Sequence, residues 1–331
     1  MLLLLQFVNK MANVVKISFV LIGIYLVVTF IIKKVMEECV NVKLNDMSNK
    51  IVVVTGANSG LGLQTVKDLV KVNANVIMGC RSINKCNDAK ASIVKLQPDA
   101  DRLIRTEQLD LASFESIKDF AKQMPNNIDV LINNAGIMAI PTRQLTTDGL
   151  EAQMGTNHIG HFLLTSLLLP KITKHGRIIN HSSGAHMFAA KNFTNDLFSE
   201  KSYDPWTAYG NSKAANLLFT YELNDRFSKS NKNLIAIAVH PGYTATNLQA
   251  DRFPLWEFNN LAFAMKVEHG VLSQTLAATS PSIKASYNDF YGPKYLAFGY
   301  PSVQITNKAD KNAQLELWNM SVKLTKKYLV N

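Results

Sequence analysis

From Ile51 onward the chain alternates short apolar runs with longer stretches of helical periodicity, the signature of strand–helix–strand units in a parallel sheet. The pattern predicts strands at Ile51–Thr55, Asn75–Gly79, Leu103–Leu109, Ile128–Asn133, Arg177–His181 and Leu234–Val239. It predicts helices at about Leu61–Val72, Ile83–Leu96, Ser113–Gln123, Asp148–Thr173, Trp206–Ser228, Gly270–Ala278 and Asp310–Leu324. No repeat or low-complexity tract interrupts the alternation. Residues 50–331 therefore read as one α/β domain built on a doubly wound parallel sheet.

The first fifty residues follow another rule. Ile17–Ile32 is almost wholly apolar, bracketed by Lys16 and by Lys33-Lys34, and Val14 and Val15 extend it past a lysine whose stem can snorkel. A cleaved signal peptide needs a small-residue cleavage site, which KKVMEECV lacks. A soluble core helix would carry a polar face, and this run has none. Residues 1–34 thus read as an uncleaved membrane anchor and 35–49 as a polar linker; Met11 is an alternative start that leaves the anchor intact. The flanking lysines nearly balance, so orientation is not fixed by charge.

Composition narrows the classes. The net charge is +10, but the basic residues are scattered and not clustered with aromatics, which argues against nucleic acid. A diffuse positive excess suits an anionic membrane surface or a multiply charged phosphate ligand. Three cysteines, Cys39, Cys80 and Cys86, with no CxxC pair, argue against a disulfide framework and for a reducing compartment.

Chemistry enters at Thr55-Gly56-Ala57-Asn58-Ser59-Gly60-Leu61-Gly62, which leaves an apolar strand and opens a helix. Gly56 permits the tight turn, Gly60 lets backbone approach a pyrophosphate, and Gly62 lets the helix pack closely on the sheet. The helix N-terminus then offers N–H groups and a positive dipole end to phosphates. This is a Rossmann-type dinucleotide turn. A site for NAD usually places a carboxylate at the end of the second strand; here that strand ends Met78-Gly79-Cys80-Arg81-Ser82. Arg81 can hold a 2′-phosphate bidentately, so the expected cofactor is NADP(H) and not NAD(H).

Tyr209 and Lys213 lie four residues apart at the start of a helix and share a face. A nearby ammonium favours the phenolate and lowers the tyrosine pKa, helped by an oxidised nicotinamide's charge. Ser183 follows the fifth strand, at the sheet end where ligands of parallel sheets sit, with adjacent Ser182 as the competing choice. His158 and His161 could share a helix face, but no carboxylate or cysteine cluster accompanies them, so no metal is expected.

The GxxxGxG spacing, Leu109-Asp110-Leu111, Asn133-Asn134-Ala135-Gly136, Asn157 in Thr156–Phe162, Ser183, Tyr209–Lys213 and His240-Pro241-Gly242 resemble, in order, the short-chain dehydrogenase/reductase family. From about Lys50 to Tyr328 the likeness is to its retinol dehydrogenase-like and WW-domain oxidoreductase-like branch. His181 departs from it, standing where an aliphatic residue is usual beside Ser183. The resemblance implies an oxidoreductase interconverting a lipophilic carbonyl and its alcohol. Tyr209 would be the acid/base, Ser183 would orient the carbonyl, Lys213 would tune Tyr209 and hold the ribose, and Asn157 would fix a water leading to Lys213. It further implies Asp110 and Leu111 at the adenine, Asn134, Ala135 and Gly136 flanking the cofactor, and Pro241, Gly242 and Thr244 near the nicotinamide amide. Phe253–Phe258 would form an apolar lid, with packing or contact with the membrane as alternatives. Pairing of two copies through the Asn211–Phe227 helix is common in the family. Few cysteines and NADPH use favour a cytosol-facing domain on the endoplasmic reticulum. The competing reading is a catalytically silent NADP(H)-binding scaffold or sensor at a membrane.

Overall fold

A computed structural model describes residues 1–38, 42–230, 233–245, 264–284, 289–295, 298–306 and 310–329. The first helix, α1 (Leu2–Glu38), extends the apolar run at both ends. Its Gln6–Val35 stretch is long and apolar enough to cross a membrane: an 18-residue window within it has a mean hydropathy of 2.5, and none of that window is buried against the chain.

The domain then winds through β1 (Ile51–Thr55), α2 (Gly60–Lys71), β2 (Asn75–Cys80), α3 (Ile83–Leu96), β3 (Ile104–Gln108), α4 (Phe114–Gln123) and β4 (Ile128–Asn133). A helical turn at Ala152–Met154 passes through a π-helical turn, Gly155–Ile159, into α5 (Gly160–Leu168). Then come β5 (Ile172–His181), α6 (Pro205–Phe227), β6 (Ile235–Val239), α7 (Leu272–Thr279), β7 (Asp289–Pro293), β8 (Pro301–Ile305) and α8 (Lys311–Leu329). The sheet order is β3-β2-β1-β4-β5-β6-β7-β8, parallel except for the antiparallel β7/β8 hairpin at one edge. The winding reverses between β1 and β4, the crevice where open sheets of this kind bind ligands.

Alternation along β1 divides the core. Val53 joins the layer under α4, α5, α6 and α8, whereas Val52 and Val54 join the layer under α2 and α3.

Three expectations are corrected. The sheet has eight strands among the described residues, two more than the six anticipated. The long helix expected at Asp148–Thr173 stops at Leu168, because Pro170 cannot continue it, and β5 starts at Ile172. Cys80 and Cys86, whose Cα atoms are 5.9 Å apart, are joined in a disulfide, which removes the cysteine argument for a reducing compartment. Along α6, Ala208–Leu223 is buried within the single chain. On it α8 lays Trp318, stacked on Phe219 and covered by the Arg226 guanidinium at 3.9 Å. Lys311 pairs with Glu222 and Asp225 across the same contact.

Candidate active site

At the carboxyl ends of the strands lies a cleft of about 920 Å³ that runs from the glycine turn to Tyr209. Gly56 (φ +65°) and Gly60 (φ +51°) adopt the left-handed conformation that a Cβ disfavours. Gly62 is fixed by proximity instead: a Cβ there would fall 2.2 Å from the Gly56 carbonyl oxygen. Ser59 stands at the N-cap of α2 without using its side chain as a cap, so no side chain of its own occupies the helix's anion-binding end. Asn58, Ser59, Gly60, Leu61 and Gly62 all line the cleft.

The turn is braced from the next strand. Asn134 Nδ2 donates to the Thr55 carbonyl at 2.8 Å, and the Asn134 and Ala135 N–H groups both donate to Thr55 Oγ1 at 2.9 Å. His161 Nε2 meets the same hydroxyl at 2.9 Å, while its Nδ1 lies 2.9 Å from the Asn157 carbonyl. His161 thereby ties the glycine turn to the helix carrying Asn157. Both Thr55 and His161 escaped the sequence reading; the two-histidine run was a signal, but it was weighed only as a metal site.

Arg81 lines the cleft beyond β2, exposed to solvent, with Ser82 and Lys85 beside it. Lys85 was also missed, although its place one helical turn after Arg81 brings a second cation to the same rim. Asp110 and Leu111 follow β3; one Asp110 carboxylate oxygen accepts from the Ala112 N–H at 3.0 Å. Ala135, Gly136, Pro241, Gly242 and Thr244 also face the cleft, and Thr244 Oγ1 donates to the Pro241 carbonyl at 2.8 Å.

Ser183, Tyr209 and Lys213 converge at the other end of the cleft. The Ser183 hydroxyl accepts from the Ala185 N–H at 3.1 Å and lies near enough to the Tyr209 phenol to pull its pKa down. The Ser182 hydroxyl is buried and donates to the Lys213 carbonyl at 2.8 Å, so of the adjacent serines it is Ser183 that meets Tyr209. Lys213 Nζ sits 5.6 Å from the Tyr209 ring centre and donates to the His181 carbonyl at 3.1 Å. That carbonyl also accepts from Asn216 Nδ2, so His181 contributes backbone where an aliphatic residue would serve equally. Its ring is buried beside Lys213, which pushes its pKa well below the usual histidine value.

Asn157 is completely buried. Its side chain clasps Ile137, accepting from that N–H at 2.8 Å and donating to that carbonyl at 2.9 Å, and it donates to Ser212 Oγ at 2.9 Å. Its carbonyl is taken by His161 and Asn216. It sits in the π-helical turn, a distortion that often marks functional positions.

Burial dominates the electrostatics of the bare site. Tyr209 is pushed up to about 12, with the Ser183 hydrogen bond pulling the other way. Lys213 is lowered to about 8 because its ammonium is desolvated. The expected lowering of Tyr209 is absent from the protein alone.

The two flagged histidines have separate partners. His158 approaches Asn216 and Ser321, and His161 approaches Thr55 and Asn157, so neither presents a nitrogen to a common centre. Among the described residues no group of three or more His, Cys, Asp or Glu is placed to hold a metal. Phe253–Phe258 lies outside the described residues. The described apolar lining near Tyr209 is instead Met138, Ile140, Pro141, Leu145 and Trp206.

Residues 50–254 match the model of the short chain dehydrogenase family. Mouse retinol dehydrogenase 14 is 35% identical over 295 residues, which span 83% of this chain and 85% of that protein. Mouse retinol dehydrogenase 13 is 43% identical over 206 residues, 60% of each chain. The crystal structure of an uncharacterised protein from Mycobacterium paratuberculosis superposes with a TM-score of 0.71 at 36% identity, covering 86% of this chain and 96% of that one. Family membership brings a nicotinamide cofactor, and the cradle at Gly56–Gly62 fits one. The chain belongs to the short-chain dehydrogenase family, and it is an oxidoreductase acting on CH–OH groups.

Proposed function

We propose that this protein interconverts a lipophilic aldehyde or ketone and its alcohol with NADP(H), held at a membrane by residues 1–34 and the 35–49 linker, with residues 50–331 as the catalytic domain. The observation that carries the reading is that Ser183, Tyr209 and Lys213 come together in one cleft that continues to the glycine turn, with Lys213 Nζ 5.6 Å from the Tyr209 ring centre. Bound nicotinamide supplies or takes up the hydride.

The Tyr209 hydroxyl donates its proton to the carbonyl oxygen in reduction and accepts it back in oxidation. Ser183, beside Tyr209 in the cleft, orients the same oxygen and stabilises the charge that grows on it. The Lys213 ammonium favours the phenolate and is placed to reach the ribose hydroxyls. Asn157 fixes the backbone at Ile137 and the Ser212 side chain, and so sets the turn of α6 from which Lys213 projects.

Arg81, with Lys85, is suited to a 2′-phosphate, and no carboxylate stands at the end of β2 to repel it. Asp110 and Leu111 fit the adenine side, and Pro241, Gly242 and Thr244 the nicotinamide amide. The apolar walls, and relatives named retinol dehydrogenases, support a lipophilic substrate. For a cytosol-facing domain on the endoplasmic reticulum, the NADPH preference is the remaining support.

The test is Tyr209→Phe in the full-length protein. NADPH-dependent reduction of a lipophilic aldehyde should fall by roughly 10²–10⁴-fold with nucleotide affinity retained. Retained turnover would refute the mechanism.

A further inference from the structure

Three aromatic rings run outward from the reacting hydroxyl, and the mechanism uses only the first. The Trp206 indole meets the Tyr209 ring edge-on, 6.3 Å between centroids and 84° between planes. Phe188 meets Trp206 in the same way, at 6.4 Å and 81°. Trp206 lines the cleft, whereas Phe188 stands at its mouth with 59% of its surface exposed.

Their positions are built in. Trp206 lies three residues before Tyr209 in the first turn of α6, on the same helix face. Pro205 opens that turn, and the Asp204 carboxylate caps it by accepting from the Thr207 N–H at 2.7 Å. The segment bearing Phe188 is seated on the next turn of the same helix. There a Cβ at position 210 would fall 2.9 Å from the Phe188 carbonyl carbon and 2.8 Å from the Ala185 oxygen, and Asn211 Oδ1 accepts from the Ala190 N–H at 2.9 Å. One helix therefore holds Tyr209, Trp206 and the support of Phe188 in a fixed relation. Met138, Ala139, Ala185, Trp206 and Tyr209 form a small apolar cluster separate from both core layers, so this wall serves the cleft and not the packing of the sheet.

We propose that Trp206, buttressed by Phe188, is the specificity-determining residue of the carbonyl pocket. It packs on the group attached to the carbonyl carbon and selects flat aryl or conjugated carbonyls over saturated ones of the same carbon skeleton. The proposal rests on the reading that substrate meets Tyr209 in this cleft. An indole attracts a second π-system by roughly two- to tenfold beyond what apolar area alone provides, and a puckered saturated ring forgoes that gain.

The experiment uses full-length protein with NADPH and a matched pair, 2-naphthaldehyde and decahydro-2-naphthaldehyde. Equilibrium binding of the two corresponding alcohols is measured alongside. Wild type should favour the aryl member by roughly two- to tenfold in kcat/KM, mainly through KM, and by a similar factor in binding. Trp206→Ala should bring both ratios to about one, Trp206→Phe should keep most of the preference, and Phe188→Ala, at an exposed site, should lose a smaller part. Loss of all turnover with the binding preference intact would refute the enzymatic reading while supporting the wall. A ratio near one in wild type, or a preference that survives Trp206→Ala, would overturn the proposal.

Discussion

At the end of the cleft proposed for the nucleotide, the shape is set by main chain. Gly56, Gly60 and Gly62 shape a turn, and of the charged side chains lining that part of the cleft among the described residues, Arg81 and Lys85 are exposed and Asp110 is half-buried. On the carbonyl side it is set by side chains taken out of water: Asn157 is wholly buried, and Tyr209 and Lys213 are 5% and 3% exposed. The first half depends on the absence of a Cβ, and its charges can be exchanged at little structural cost. The second depends on polar groups that satisfy one another, where a single deletion orphans several partners. Specificity for the cofactor and the chemistry of the carbonyl are thus set by parts that can be broken separately.

Asn157→Ala should have the largest effect on folding. It strands the Ile137 N–H and carbonyl and one Ser212 bond in the interior, at a cost of about 3 kcal/mol, visible as a lower denaturant midpoint with the slope unchanged. Gly62→Ala tests the other half by adding one methyl group. The Cβ must push the Gly56 carbonyl aside, so we expect a loss of roughly 1–3 kcal/mol. NADPH affinity should fall with it, because the turn itself must move.

A smaller effect separates the halves by pH. The Lys213 pKa is about 8 when folded, below its unfolded value of 10.5. Between those values the unfolded chain holds a proton that the folded chain has released, so this residue makes stability rise with pH across the window. The gain is on the order of 2 kcal/mol by pH 10. Lys213→Met should lack that rise, as unfolding of the two proteins at pH 7–10 would record. Tyr209, raised to about 12, acts in the opposite sense: its contribution is present below pH 10 and lost as pH climbs towards 12.

The nucleotide half was the more legible in sequence, because main-chain demands leave glycines at fixed spacing. The predicted Ile51–Thr55, Ile83–Leu96 and Ile128–Asn133 stand unaltered. Ser183, Tyr209 and Lys213 were found by spacing and by their place at strand ends, and the structure brings them together. Hidden from sequence were features that exist only through distant partners. The β7 and β8 segments carry prolines at their ends and a glycine within, which argue against strands. Gly292 is there because the His240 ring occupies the place of a Cβ. The Thr55–His161 tie spans 106 residues and the Asn157–Ser212 bond in the π-helical turn spans 55, separations that local periodicity does not encode.

The most direct test of separable halves is an equilibrium titration of full-length wild type and Arg81→Asp with NADPH and NADH. The account predicts that wild type binds NADPH roughly tenfold more tightly or better, that the variant inverts this preference, and that its fold and its Tyr209 chemistry are otherwise kept. Equal affinities in wild type, or a preference unchanged by the substitution, would contradict it.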